Sequence, residues 1–296
     1  MEQPTQPEVP VLRPTPAPLD TGRRLNLTSF GLTDVGRSRK TNEDQFVVAE
    51  LTRALHLVQS SVQQPRTLLS ENRAHLLMVA DGMGGHRAGE QASALAVVTV
   101  EDFILNTFRW VFRLQGEVAA EFQEALRAAD ARIFEEAGRH PELAGMGTTL
   151  TLAYTVNSLL YVIHVGDSRC YLYRDGVLHQ LTRDHTLVDE MVRSGAIEPE
   201  AAARHHLRNV ITNAVGGSEP GIEVEIHRLQ LEPGDVTLLC SDGLTEMLPD
   251  AELAEILASQ PTPEAASREL VARANERGGQ DNITAIVARF DPASVD

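Results

Sequence analysis

Lysine is almost absent from this chain: Lys40 is the only one, and every other basic residue apart from histidine is arginine. A P-loop needs a lysine just after its glycines, and a protein kinase needs one on a strand behind its glycine-rich loop. The glycine clusters of this sequence therefore lack the partner that an ATP cradle requires. Cysteine is nearly as scarce, with Cys170 and Cys240 each inside an apolar strand-like run. Two such thiols read as buried core residues in a reducing compartment, not as a disulfide or a metal site. Aromatics make up 4% of the residues, so Leu, Val, Ile and Ala must fill the core. No apolar run approaches the roughly 20 residues of a membrane span, and the N-terminus shows no signal-peptide core. The expectation is a soluble cytoplasmic protein with no membrane partner. Positive charge is in deficit, with a net of −16. That argues against nucleic-acid binding, which needs a concentrated basic surface. It also means that an anionic substrate must be drawn by something local.

What is present is a long, evenly composed chain. No break in composition follows Leu27, which favours one large domain over two. Residues 1–26 are proline-rich without apolar periodicity and read as a disordered tail. The domain is expected over 27–291, with a C-terminal tail at 292–296. Strand-like pieces lie at 27–34, 45–50 and 76–80, followed by two helical segments at about 88–108 and 117–137. The second helix has apolar residues at three- and four-residue spacing. A meander follows through TTLTLAYTV, LLYVIHV, CYLYR and VLHQL, the last two joined by Asp175-Gly176, a strong hairpin signal. An irregular, partly helical section spans about 185–217. Strands return at 221–229, 235–240 and 282–290, with helices starting near Asp250 and at Thr262-Pro263. Hairpin-linked strands with two helix pairs imply antiparallel sheets covered by helices, not a parallel doubly wound sheet.

One pattern recurs. VADG, VGDS and CSDG place Asp81, Asp167 and Asp242 directly after apolar strands, and QDNITAIV places Asp281 just before the last one. A single strand-end aspartate is a turn former. Four at the ends of core strands are fixed points that can converge on one edge of a sandwich. Carboxylates gathered there repel one another unless a cation sits among them. Without His/Cys ligand spacing, oxygen-only ligands favour Mn2+ or Mg2+ over zinc. Gly82, after Asp81, offers a bare backbone whose carbonyl can approach a metal. In GRSRKTNEDQF, Arg39 precedes Glu43 and Asp44 on a loop entering a strand, and an arginine beside such a centre suits a phosphate clamp.

In order, GLTDVGRSRKTNEDQF, LLMVADGMGGHRAGEQAS, MGTTLTLAY, LYVIHVGDSRCYLYRDGVLHQLTRDHT, VITNAVGG, GDVTLLCSDGLTEML and GGQDNITAIV resemble the metal-dependent type-2C (PPM) serine/threonine protein phosphatases in their bacterial form. The resemblance implies an α+β fold, a four-layer α-β-β-α sandwich of two antiparallel sheets with helices on both outer faces. It implies that a water or hydroxide bridging two Mn2+ or Mg2+ ions hydrolyses phosphoserine and phosphothreonine on proteins. Carried over by motif, Asp81 bridges the two ions, with the Gly82 carbonyl on one and Asp242 and Asp281 on the other. Asp167 and Asp242 match a weaker third site. Glu43 holds metal-bound water, Asp44 orients the site, and Arg39 binds phosphate. The segment at about 185–217 matches a flap that varies in the family and affects substrate choice. Expected partners are phosphoproteins, substrates of a cognate Ser/Thr kinase, and that kinase itself, with a monomeric phosphatase. Eukaryotic members have a histidine, the proposed general acid, where this chain has Met83; His86 and a metal-bound water are the alternatives here. His185, His205 and His206 read as structural or surface residues. Two other readings stand beside the main one: a phosphoprotein-binding pseudophosphatase, and a phosphatase of small phosphorylated metabolites.

Overall fold

The computed structural model describes residues 25–52, 54–56, 59, 67–69, 73–106, 116–202, 204–218 and 221–293. The segment read as a tail thus lies, up to residue 24, outside the described residues, as do 294–296. Along the chain run β1 (Leu25–Asp34), β2 (Asp44–Leu51), the short pair β3 (Ala54–His56) and β4 (Thr67–Leu69), and β5 (Ala74–Met83). Helices α1 (His86–Asn106) and α2 (Gly116–Arg139) follow. The meander is β6 (Gly147–Thr148), β7 (Leu150–Val156), β8 (Leu159–Val165), β9 (Arg169–Arg174) and β10 (Val177–Gln180). Next come α3 (Leu187–Arg193), α4 (Pro199–Ala202), β11 (Val215–Gly216), β12 (Glu225–Gln230) and β13 (Val236–Cys240). The chain closes with α5 (Asp242–Thr245), α6 (Asp250–Ser259), α7 (Pro263–Glu276) and β14 (Ile283–Pro292).

Two antiparallel sheets result, one ordered β11-β6-β5-β7-β8-β12 with β2 also on β5, the other β1-β14-β13-β9-β10. Their central strands read as unbroken apolar runs because both faces are covered. In β5, Leu76, Met78 and Ala80 meet α1 and α2 through Ala92, Ala96, Val100, Phe122 and Ile133. The intervening Leu77 and Val79 face the other sheet, packing with Leu239, Ile286 and Phe290. The second sheet's outer face, with Leu238, Cys240, Ala285 and Val287, is covered by Leu253, Ile256, Leu270 and Ala274 of α6 and α7. This is the four-layer α-β-β-α sandwich.

Local signals explain the boundaries. Asp175 (φ 50°) and Gly176 (φ 81°) form the β9–β10 hairpin turn with both central residues left-handed. Thr262 caps α7 by accepting from Ala265 N at 3.2 Å, with Pro263 in the first turn. Two expectations are corrected: β5 runs on through Asp81 to Met83, because Gly82 and Met83 pair with β6, and β12 begins at Glu225, not Gly221. Gly221 stands at φ 104° and its N–H donates to Asp130 Oδ2 of α2 at 3.3 Å, so the backbone there is not extended.

Candidate functional site

The predicted residues lie on both sheets, and the site is the seam between them. β2 and β5 pair in a register that sets Asp44 directly opposite Asp81. Asp44 is buried, and its Oδ2 accepts from Ser241 Oγ at 2.7 Å and Thr284 Oγ1 at 2.6 Å, across the sandwich. Ser241 immediately precedes Asp242, and Thr284 lies in β14 just beyond Asp281. One carboxylate of the first sheet therefore fixes both aspartate-bearing ends of the second.

The backbone of Asp81 is pinned by Thr148 and Thr149. Its carbonyl accepts from Thr149 N at 2.9 Å and Thr148 Oγ1 at 2.8 Å, and its N–H donates to Thr149 Oγ1 at 3.0 Å. The Thr149 hydroxyl also meets Ser168 Oγ at 2.8 Å, beside Asp167. Asn282 orders the N-terminal loop: its Oδ1 accepts from Glu43 N at 2.8 Å, and its Nδ2 donates to the carbonyls of Val35 and Thr41. Arg39 pairs with Asp281 Oδ2 at 2.6 Å and is 44% exposed.

The glycines after the aspartates serve close chain crossings. A Cβ on Gly82 would lie 2.1 Å from the Gly89 carbonyl of α1, and one on Gly243 would lie 2.0 Å from the Asn282 carbonyl. Neither distance is sterically possible, so α1 and the 281–282 turn approach as they do only because both positions lack a side chain. The contact with α1 is a reason for Gly82 beyond the access of its carbonyl to a metal.

Electrostatically the cluster is unfavourable when left to itself. Burial, then the carboxylates of Asp44, Asp242, Asp167 and Asp281, push Asp81 well above the ordinary aspartate range. Burial, then Asp167, Asp281, Glu246 and Asp44, do the same to Asp242. Burial lifts Asp44 to about 6 against its two hydroxyl donors. Burial, then Asp184, lift Asp167 to about 7. Asp242 Oδ1 and Asp44 Oδ1 are buried with no hydrogen-bond partner. Buried acceptors left unmatched beside like charges fit a divalent cation, and the all-oxygen donor set fits a hard one. The oxygens are not drawn into a closed cage: among the described residues, only His164, His185 and Glu225 bring three potential ligand atoms within 4.8 Å of one another.

Sequence reasoning missed Ser241, Thr284, Thr149, Asn282 and the pair Arg169–Asp184. Arg169 holds Asp184 by two hydrogen bonds of 2.8 and 2.6 Å. Small polar residues next to a strand-end aspartate were the available signal, but their partners depend on the register. Met83 ends β5, opposite Gly147. The side chain of His86 lies outside the described residues. His205 and His206 stack on each other at 4.7 Å. A cleft of about 650 Å³ is lined by Asp167 and Asp242, by Val188 and Val192 of α3, and by Thr245 and Met247.

Carboxylates from two sheets with an arginine at their edge equip a protein to handle a cation and a phosphate together, which is the class of metal-dependent phosphatases. The chain belongs to the protein phosphatase 2C family, whose pattern it matches over residues 54–286. It is 37% identical over 255 residues to the serine/threonine phosphatase stp of Listeria innocua serovar 6a, covering 86% of this chain and 92% of that one. The Mycobacterium tuberculosis serine/threonine phosphatase PstP/Ppp superposes with a TM-score of 0.74 at 32% identity, over 90% of this chain and 99% of that one. A structure of the PstP catalytic domain in complex with two manganese ions gives a TM-score of 0.72 at 32% identity, over 90% and 99% of the two chains. Among the described residues, no helix is long and apolar enough to cross a membrane.

Proposed function

We propose that this chain hydrolyses phosphoserine and phosphothreonine on proteins, with Asp81, the Gly82 carbonyl, Asp242 and Asp281 holding two Mn2+ or Mg2+ ions. Asp167 with Asp242 would hold a weaker third. The observation that carries the reading is the convergence of these carboxylates at a seam where Asp242 Oδ1 is buried and unmatched. The two-manganese complex of a relative supports a centre of two ions. When bound, the ions supply Lewis acidity: they neutralise the cluster, attract phosphate to an acidic protein and lower the pKa of water.

The chain's own residues do the rest. Asp44 keeps the two sheets in register so that the aspartates of one face those of the other. Glu43, anchored through its N–H to Asn282, orients water at the edge of the cluster. Arg39, within reach of Asp281, exchanges that carboxylate for the equatorial oxygens of the phosphoryl group. The flap segment and α5 wall the cleft through which a phosphorylated chain reaches the aspartates. Neither buried cysteine is a nucleophile, since burial raises both thiols and Cys240 reaches about 12. Substrates of a cognate Ser/Thr kinase, and that kinase, are the partners this chemistry fits.

The test is phosphate release from an aryl phosphate, a phosphothreonine peptide and small phosphorylated metabolites, with Mn2+, with Mg2+ and with chelator. Release should need the metal and favour the peptide over the metabolites. Turnover that persists in chelator would refute the mechanism, and peptide binding without release would show a binding module.

A further inference from the structure

Behind Asp167 lies a buried polar network that the proposed chemistry does not use. His164 of β8 and His185, at the entrance to the flap, stack with ring centroids 4.9 Å apart, next to Glu225 of β12. The trio has the composition of a cation site, but its hydrogen bonds assign it elsewhere. His164 Nε2 faces the carbonyls of Gly166 and Arg183 at 3.0 and 2.9 Å, so it carries the proton, and its Nδ1 lies 2.8 Å from Thr151 Oγ1. His185 Nδ1 faces two donors, Gly166 N at 3.1 Å and Asn213 Nδ2 at 3.0 Å, so it is bare. Its Nε2 therefore carries the proton and points to Glu225 Oε2 at 3.3 Å. Three of the four ring nitrogens are held by hydrogen bonds, and the fourth, His185 Nε2, faces Glu225 Oε2, a buried oxygen with no hydrogen-bond partner of its own.

We propose that His185 is a positioning residue, whose Nδ1 fastens both ends of the flap to the loop that carries Asp167. The outgoing end is tied by His185 N, which donates to Gly166 O at 2.7 Å. The returning end is tied by Thr212 N, which donates to His185 O at 2.9 Å, and by Asn213 on Nδ1. Leu187 N to Val210 O, at 2.9 Å, closes the base of the flap into one unit. On the other side the loop continues through Thr151, whose single hydroxyl proton is shared between His164 Nδ1 at 2.8 Å and Ser168 O at 3.0 Å, and through Ser168 to Thr149 and the N–H of Asp81. A single imidazole thus sets the cleft's outer wall at a fixed height over Asp167. Only the activity arm of the test below rests on the proposed function.

The test uses two replacements that divide the ring's functions. The side-chain oxygen of His185→Asn can stand where Nδ1 stands, while His185→Gln reaches the Nε2 position and leaves Gly166 N and Asn213 unmatched. Hydrogen exchange on the full-length, metal-free protein is the primary readout, and it is independent of catalysis. In His185→Gln, peptides covering 166–168 and 186–213 should exchange roughly tenfold faster with the remaining core unchanged, whereas His185→Asn should stay within about threefold of the parent. With metal present, KM for a phosphopeptide should rise more than KM for an aryl phosphate in His185→Gln, and His185→Asn should restore it. Equal behaviour of the two variants, both slow or both fast, overturns the proposal, because Nδ1 then makes no difference. Should His185→Gln fail to fold, Asn213→Ala carries the test: unchanged exchange in 186–213 overturns it.

Discussion

Asp242→Asn should stabilise the metal-free protein at pH 8 while abolishing turnover. Asp242 is crowded by Asp167, Asp281, Glu246 and Asp44, and its Oδ1 has no hydrogen-bond partner. Its folded-state pKa lies above that of the unfolded chain, so folding holds a proton that unfolding releases. Stability from such a group is present below the unfolded pKa and lost as pH rises toward the folded one, by up to about 1.4 kcal/mol per pH unit. Relieving one buried, unmatched charged group is worth about 1–3 kcal/mol. For a chain of this size, with about 2–4 °C per kcal/mol, the melting temperature in chelator should rise by roughly 2–12 °C at pH 8. Near pH 4 the carboxyl is protonated in the folded chain and the gain should vanish. Added Mn2+ should reverse the order at pH 8, since ligand binding to the native state raises the parent more than the variant. Melting curves of both proteins at the two pH values, with chelator and with Mn2+, provide the measurement. A variant no more stable than the parent at pH 8 in chelator, or equally favoured near pH 4, would refute the reasoning.

Gly82→Ala forces a Cβ to within 2.1 Å of the Gly89 carbonyl, backbone against backbone, and should cost about 3 kcal/mol or more in a denaturant titration. A loss below about 1 kcal/mol would show that α1 can retreat freely. Arg39→Ala removes a half-exposed ion pair, so stability should change by less than about 1 kcal/mol. Its kcat should nevertheless fall by roughly 10²–10³-fold, and a drop smaller than about tenfold would separate Arg39 from the phosphate. A thiol reagent should leave Cys170 and Cys240 unmodified, and activity intact, in the native protein, because both are fully buried with raised pKa values. Rapid labelling with loss of turnover would put a cysteine in the reaction.

Asp167, Asp242 and Asp281 could be found from sequence because a strand's end is fixed by its own residues, whereas Asp81 follows an apolar run that continues through it to Met83. The same locality made the Asp175-Gly176 turn and the Thr262-Pro263 cap readable. Asp44 shows where such reading ends. Its place opposite Asp81 follows from β2–β5 register, and its donors Ser241 and Thr284 lie about two hundred residues away along the chain. Nothing local to any of the three announces that contact. Asp130 is a second case. In the helical pattern of α2 it reads as one more surface acid, yet it is buried and accepts from Gly216 N at 2.7 Å. That bond and its companion to Gly221 decide where β12 can begin. Sequence pattern specifies elements and their ends; the bonds that join distant ends belong to topology.

The pairing of β1 with β14 gives the molecule a schedule as well as a shape. The strand Leu25–Asp34 is synthesised long before its neighbour in the sheet, Ile283–Pro292. At roughly 5–20 residues per second, β1 waits on the order of 10–50 s for that partner. Asp281 and Thr284 arrive with β14, so the carboxylate cluster and the bolt through Asp44 form together only once that strand has been made. A growing chain that has not yet reached β14 therefore carries the early half of the site without the late half, and the site is completed in one step when that strand docks.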